Sequence, residues 1–163
     1  MKRSGPRPQA ASPAPAKAAK VAAKVASGAG EVRIIGGQWK RTRLPVAQRP
    51  GLRPTPDRVR ETLFNWLGQD LSGWHCLDAF AGTGALGLEA ASRGAASVLL
   101  VEQDAALVAQ LHQHQQRLQA STVRVQRGDA LAALRQVAGQ GLDLVFLDPP
   151  FDETALFVPA EIG

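Results

Sequence analysis

From residue 73 to residue 147 the sequence alternates short apolar runs with segments of helical spacing, and that alternation leaves few architectures open. Residues 76–80, 97–102, 123–126 and 142–147 read as strands, and 85–92, 104–119 and 130–138 read as the helices between them. Strands separated by helices at this interval are joined by right-handed crossovers into a mostly parallel sheet covered on both faces. With 163 residues, 45% of them hydrophobic, the chain has material for one such core. Ligands of open parallel sheets lie beyond the carboxyl ends of the strands. Here the distinctive polar residues fall at those ends.

The first strand leads into Leu77-Asp78-Ala79-Phe80-Ala81-Gly82-Thr83-Gly84-Ala85-Leu86-Gly87. Glycines such as Gly82 and Gly84 let a backbone approach a ligand, and the helix that follows presents free amides. Residues 82–87 also satisfy G-x-G-x-x-G, so a nicotinamide or flavin enzyme has to be weighed. Asp78 decides against it. An acid four residues before the first glycine repels a pyrophosphate but suits the ammonium and sulfonium of S-adenosylmethionine. Asp78, Phe80, Gly82 and Gly84 are therefore the expected cofactor loop. Glu102 closes the second strand about twenty residues beyond the glycines, where a carboxylate accepts from ribose hydroxyls. Asp104 reads as a helix N-cap. Asp129, just past the third strand, reads equally as an adenine contact or as the N-cap of helix 130–138.

The sharpest signal is Asp148-Pro149-Pro150-Phe151 at the end of the fourth strand. Two prolines stiffen the backbone, so the Asp148 carboxylate and the Pro149 carbonyl become two acceptors aimed at one point. Phe151 adds a flat face for stacking. The amine of a nucleic acid base is a poor nucleophile because its lone pair is delocalised. Two acceptors on its hydrogens favour the pyramidal form that attacks a methyl group.

The remainder of the chain differs in texture. Residues 1–60 hold 14 Lys and Arg against Glu31 and Asp57, whereas residues 61–163 hold 5 Arg against 12 acids. Residues 1–30 are rich in Ala, Pro, Ser, Gly and Lys and should be disordered. They are either a solvated extension, a weak helix on an acidic partner, or a targeting peptide. Next comes a basic arm, residues 31–72, in which Gly36-Gly37 reads as a flexible break between two short strands. Arg33, Lys40, Arg41, Arg43, Arg53, Arg58 and Arg60 are its candidate phosphate contacts. Thr55 reads as an N-cap and Pro56 as the first residue of a helix, 56–67, that ends near Gly68. Val59, Thr62, Leu63 and Trp66 would form its buried stripe, with Trp39, Trp66 and Trp74 packed in the core. Cys76 rules out a disulfide framework and reads as a buried small hydrophobe, and one cysteine fits a reducing compartment. His75, His112 and His114 lack ligand spacing, so no metal is expected. No apolar stretch is long enough to span a membrane, and the basic start lacks the apolar region of a secretory signal.

Four blocks together resemble a known family. They are Arg33-Ile34-Ile35-Gly36-Gly37-Gln38-Trp39, Leu52-Arg53-Pro54-Thr55-Pro56-Asp57-Arg58-Val59-Arg60-Glu61-Thr62-Leu63-Phe64-Asn65-Trp66-Leu67, the stretch from Asp78 to Ala90, and Asp148-Pro149-Pro150-Phe151. In order and spacing they are similar to the bacterial 16S ribosomal RNA guanine-N2 methyltransferases of the RsmD type. The resemblance implies a Rossmann-like class I methyltransferase fold. It also implies S-adenosylmethionine as cofactor and one guanine of 16S rRNA, within the small subunit or its assembly intermediate, as target. A monomer in the bacterial cytoplasm is expected.

Only 12 residues follow Phe151, whereas such folds have seven strands, so residues 73–163 read as a cofactor-binding domain cut short after its fourth core strand. The fourth strand is then expected to be a bare sheet edge. Two other readings stay open: an adenine-N6 or other amino-methyltransferase on DNA or RNA, and an inactive RNA-binding remnant.

Overall fold

The computed structural model describes residues 30–47, 55–149 and the backbone of 156–159. The expected disorder of residues 1–30 falls almost wholly outside the described residues, as do Arg53, Pro150 and Phe151. In chain order the elements are β1 (Glu31–Arg33), β2 (Arg43–Pro45), α1 (Asp57–Leu67), β3 (His75–Asp78), α2 (Ala85–Ser92), β4 (Ser97–Glu102), α3 (Ala105–Leu118), β5 (Val123–Arg127), α4 (Ala130–Val137), β6 (Leu144–Leu147) and β7 (Leu156–Pro159). The expected strand–helix alternation is present in full, with ends shifted by a residue or two. Both β3 and β6 are shorter than the apolar runs that announced them.

The main sheet runs β5-β4-β3-β6-β7. Strands β5, β4, β3 and β6 are mutually parallel, with Cys76 beside Val98 on one side and beside Leu144 on the other. The chain winds outward from β3 to β5, then crosses back to lay β6 on the far side of β3. That reversal is a topological switch point, and a crevice opens there beyond the strand ends. Asp78 and Asp148 stand at its two lips. One expectation fails at the far edge. β7 pairs antiparallel with β6, Leu147 opposite Leu156, so β6 is an interior strand and not a bare edge. A return strand of four residues is enough to satisfy the ladder that an unpaired edge would expose.

Alternation along the strands sorts the core. Cys76, Val98, Leu100, Leu144 and Phe146 point to one face, where they meet Leu86 and Leu88 of α2 and Leu111 of α3. Leu77, Val101 and Val145 point to the other, against Ala130 and Ala133 of α4. All eight residues of α2 are buried, which is why this helix, Glu89 and Ser92 apart, is made of Ala, Gly and Leu instead of an amphipathic stripe. A Cβ at Gly87 would come within 2.2 Å of Leu100 Cδ2, so only glycine lets α2 lie this close to β4.

The arm is not a loose appendage. Ile34, Leu44, Leu63 and Phe64 belong to the same cluster as α2 and the sheet. Gly36-Gly37, expected as a flexible break, is clamped on the end of α2. Ser92 Oγ donates to the Gly36 carbonyl at 2.6 Å and accepts from Trp39 N at 3.0 Å, while Gln38 N donates to the Ser92 carbonyl at 2.8 Å. Gly37 has φ +80°, and a Cβ there would stand 2.0 Å from the Ser92 carbonyl oxygen. These glycines serve tight contact, not freedom.

Helix α1 also turns differently from its apolar pattern. Its buried residues are Arg60, Leu63 and Phe64, while Val59 is 43% and Trp66 74% exposed. Leu63 is thus the one member of the expected stripe that lies inside, and Trp66 is not a core residue. Trp39 and Trp74 do pack against the core. An ion pair outweighs the apolar pattern. Arg60 Nη1 donates at 2.9 Å to Glu89 Oε1, and both side chains are removed from solvent. Glu89 also accepts from Ile35 N at 3.0 Å, Gly36 N at 2.9 Å and Arg93 Nε at 2.8 Å. Arg93 in turn covers the Phe64 ring at 4.8 Å and donates to Gln69.

Removing Glu89 leaves two buried guanidinium groups and two amides without their acceptor. Glu89→Ala should therefore lower the unfolding free energy by about 3–5 kcal/mol, measured by denaturant titration. A loss of less than about 1 kcal/mol would mean that the arm docks by apolar contact alone.

The candidate cofactor and amine site

Each of the four parallel strands runs out into a carboxylate. Asp78 ends β3, Glu102 ends β4, Asp129 follows β5 after a glycine, and Asp148 follows β6 directly. The loop behind β3 is held on both sides, since Ala79 N donates to the Phe146 carbonyl at 3.1 Å and Ala81 N to the Val101 carbonyl at 2.8 Å. Gly84 then caps α2 in the left-handed region, with φ +87°. A Cβ there would press on Leu111 and Leu88 at 2.8 and 2.9 Å, so this glycine answers to the core as well as to the turn.

Asp78 is the most buried of these four acids. It is 1% exposed, and its Oδ2 accepts from Gly87 N in the first turn of α2 at 3.0 Å. Oδ1 is buried and has no hydrogen-bond partner among the described residues. Burial pushes the carboxyl up to about 7, and the negative charges of Asp148 and Glu102 push the same way against the amides of Gly87 and, more weakly, Phe80. An orphaned carboxylate oxygen facing other acids is a site for a cation. The ammonium expected there from the sequence fits the observed carboxylate acceptors, and a pyrophosphate does not.

Glu102 is occupied by the loop it faces. Its Oε1 accepts from Gly82 N at 2.8 Å and its Oε2 from Asp104 N at 3.0 Å, so it fixes the glycine turn while each oxygen keeps a second lone pair. Asp104 caps α3 as expected, accepting from Ala106 N and Leu107 N. Asp129 is the N-cap of α4, accepting from Ala132 N at 3.0 Å, and its other oxygen accepts from Gln103 Nε2 at 3.2 Å. Of its two expected roles the cap is present. Phe80 is half-buried beside the second core cluster.

Asp148 and Pro149 are half-buried at the tip of β6. Thr55 was expected to cap α1, but Pro56 occupies the cap position without a side-chain bond. The Thr55 hydroxyl instead donates to Asp148 Oδ2 at 3.1 Å. Sequence reasoning missed this contact and also Glu89. A lone acid in an otherwise apolar helix was the signal for Glu89, since such an acid needs a buried partner.

The basic residues separate into two groups. Arg60 is 1% exposed, held by Glu89, by Asp57 at 2.5 Å and by the Thr55 carbonyl at 3.3 Å, so it does not reach a polyanion. Arg33, Lys40, Arg41, Arg43 and Arg58 are exposed. Arg33 pairs with Asp57 at 2.9 Å and Arg43 with Glu31 at 3.4 Å, and exposed pairs of this kind are weak enough to exchange for phosphate. Among the described residues no group of three His, Cys, Asp or Glu could hold a metal. Cys76 is buried, and burial raises its thiol to about 12, which leaves it inert.

Residues 32–161 match the family described as "Conserved hypothetical protein 95". Ribosomal RNA small subunit methyltransferase D of Escherichia coli strain K12 is 54% identical over 125 residues, covering 77% of this chain and 63% of that protein. The Haemophilus influenzae protein of the same name is 48% identical over 125 residues, covering 75% of this chain and 65% of its own length. The chain belongs to this family. The RsmD-type resemblance read from the four sequence blocks thus stands. The solved structure of yhhF from Escherichia coli superposes with a TM-score of 0.65 at 47% identity, over 75% of this chain and 65% of that one. This RsmD-type chain therefore spans just under two thirds of the length of these relatives.

The raised Asp78 carboxyl has a consequence for stability. Folded Asp78 keeps its proton up to about pH 7, whereas the unfolded chain releases it near 3.8, so raising the pH through that window favours unfolding. His114 acts in the opposite sense, because burial first and then Arg117 lower it to about 4. The melting temperature of wild type relative to Asp78→Asn should fall between about pH 4 and pH 7, which cancels the His114 contribution. Parallel curves across that window would place Asp78 in a far more polar setting than the one described.

Proposed function

We propose that this chain carries the cofactor and target-amine sites of an S-adenosylmethionine-dependent methyltransferase acting on the exocyclic N2 amine of a guanine in 16S rRNA. The observation that carries the reading is the placement of Asp78 and Asp148 at the ends of the adjacent strands β3 and β6, with a buried Asp78 oxygen left without a hydrogen bond. Family membership and the names of the relatives support the choice of substrate, since those proteins are named for the small-subunit ribosomal RNA. The substrate would be met in the bacterial cytoplasm, within a small subunit or its assembly intermediate.

S-adenosylmethionine supplies a methyl group made electrophilic by an adjacent sulfonium. The residues of the chain divide the remaining work. Asp78 holds the cationic amino-acid end of the cofactor with the oxygen that the fold leaves unpaired, and its ionised form is the one that binds. Glu102 fixes the loop at Gly82 and offers its remaining lone pairs to the ribose hydroxyls. Asp148 and the Pro149 carbonyl accept from the target amine and orient its lone pair toward the methyl group. Phe151 stacks on the base, which has to be turned out of its helix to arrive there. After transfer the methylated amine is far more acidic than its parent, so its proton leaves to Asp148 or to water without a strong base.

The exposed cations Arg33, Lys40, Arg41 and Arg43 of the arm and Arg58 of α1 would supply phosphate contacts, which carry most of the affinity and make it salt-dependent. Reversing charge at Arg41 and Arg43 should weaken binding to small-subunit particles by at least about tenfold at low salt while leaving cofactor affinity unchanged. Equal RNA affinity in that variant would move the polymer contact elsewhere.

Transfer of labelled methyl from S-adenosylmethionine to small ribosomal subunits, followed by nucleoside analysis, tests the reaction itself. The expected product is N2-methylguanosine, with Asp148→Ala reducing kcat by about a hundredfold or more and leaving cofactor affinity nearly intact. Methylated adenine would overturn the assignment of the base. Full activity in Asp148→Ala would overturn the role of the strand-end acid.

A further inference from the structure

We infer that Thr55 is a positioning residue for the reaction. Its hydroxyl fixes the rotation of the Asp148 carboxylate, and the buried Glu89–Arg60 pair fixes Thr55. The inference rests on the reading of Asp148 as the acceptor of the target amine.

A carboxylate on a short side chain at the tip of a strand rotates about its last bond. Backbone stiffness from the following prolines sets where the carboxyl group is, but not which way its oxygens face. The Thr55 hydroxyl donates to Asp148 Oδ2 at 3.1 Å across 93 residues of sequence, so one hold on this orientation comes from outside the motif. Such a clamp works only if the threonine itself is held. Thr55 precedes α1, and its carbonyl accepts from Arg60 Nε at 3.3 Å. Arg60 in turn reaches Glu89 at 2.9 Å and Asp57 at 2.5 Å. Glu89 sits in α2, two residues beyond Gly87, whose amide holds Asp78 at 3.0 Å. One helix therefore anchors the cation-binding acid directly and the amine-binding acid through Arg60 and Thr55. The carboxylate that would hold the cofactor and the one that would orient the amine share one rigid support.

The residue type at position 55 is then specific. Serine keeps the hydroxyl, whereas valine keeps the shape and removes the donor. A helix-capping role for Thr55 would be served by either hydroxyl residue without affecting kcat, and the cap position is in any case occupied by Pro56. A contact to RNA would move the Michaelis constant for the ribosomal particle instead of the turnover.

The test compares wild type, Thr55→Val, Thr55→Ser and Asp148→Ala as full chains, in steady-state transfer to small ribosomal subunits with thermal melting alongside. Thr55→Val should lower kcat by about 10- to 100-fold, the worth of a hydrogen bond to a charged group, with both Michaelis constants within about twofold. Thr55→Ser should recover activity to within about fivefold of wild type, and neither substitution should shift the melting temperature by more than about 3 °C. Unchanged kcat in Thr55→Val, with Asp148→Ala inactive, overturns the positioning role and leaves the proposed function standing. A fall confined to the Michaelis constant for the particle, or one that serine does not repair, also overturns it. Full activity in Asp148→Ala, or none in wild type, removes the proposed function and this inference with it.

Discussion

Glu89 has no contact with solvent, and a carboxylate in that position costs several kcal/mol unless its oxygens are fully paired. Its four donors come from three places: two amides of the arm, Arg60 of α1, and Arg93 at the end of its own helix. That pairing decides which way α1 faces and where residues 35–36 lie, and it holds Arg60 beneath Thr55. The same helix carries Gly87, which lets α2 lie against β4 and presents an amide to Asp78. Most of what the site requires thus descends from one apolar helix with one acid in it.

The chemistry of the carboxyl edge follows from an excess of negative charge. Asp78, Glu102, Asp129 and Asp148 end four neighbouring strands, and a bare edge of this kind repels itself. Two of the four relieve the strain with backbone amides, Glu102 through Gly82 and Asp104, Asp129 through Ala132. In Asp78 only the Gly87 amide makes a well-formed hydrogen bond, that of Phe80 acts more weakly, and burial together with the neighbouring acids drives its proton affinity up to about 7. The fold thereby disfavours the ionised form of Asp78, and a cation bound beside it would favour that form again. On the proposed reading this edge would take a sulfonium and an ammonium and repel a pyrophosphate, although the glycine pattern alone would permit either.

Much of this was legible from the sequence. Strand and helix order, the crossover, the cap at Asp104 and the burial of Cys76 follow from periodicity and turn chemistry. What stayed hidden depended on side chains that meet over long sequence distances. Val59 and Trp66 look like the inner face of α1, yet the Arg60–Glu89 pair, 29 residues apart, rotates the helix so that Trp66 is exposed. Arg60 reads as one more cation of a basic arm until its partner is known. Thr55 reads as a cap because local pattern offers no other role, while its actual acceptor is 93 residues away. The β6 edge was expected to be bare because counting residues after Phe151 excludes a helix–strand unit, but an antiparallel return strand needs far fewer.

The central claim is that the β3–β6 edge is built to take the cation of S-adenosylmethionine. Isothermal titration of the whole chain with that compound, repeated in buffers of different ionisation enthalpy near pH 6 and with NAD as the control, tests it most directly. The account predicts saturable binding of S-adenosylmethionine alone, accompanied by release of a proton that disappears in Asp78→Asn. Binding of NAD instead, or no binding of S-adenosylmethionine by a folded chain, would contradict it.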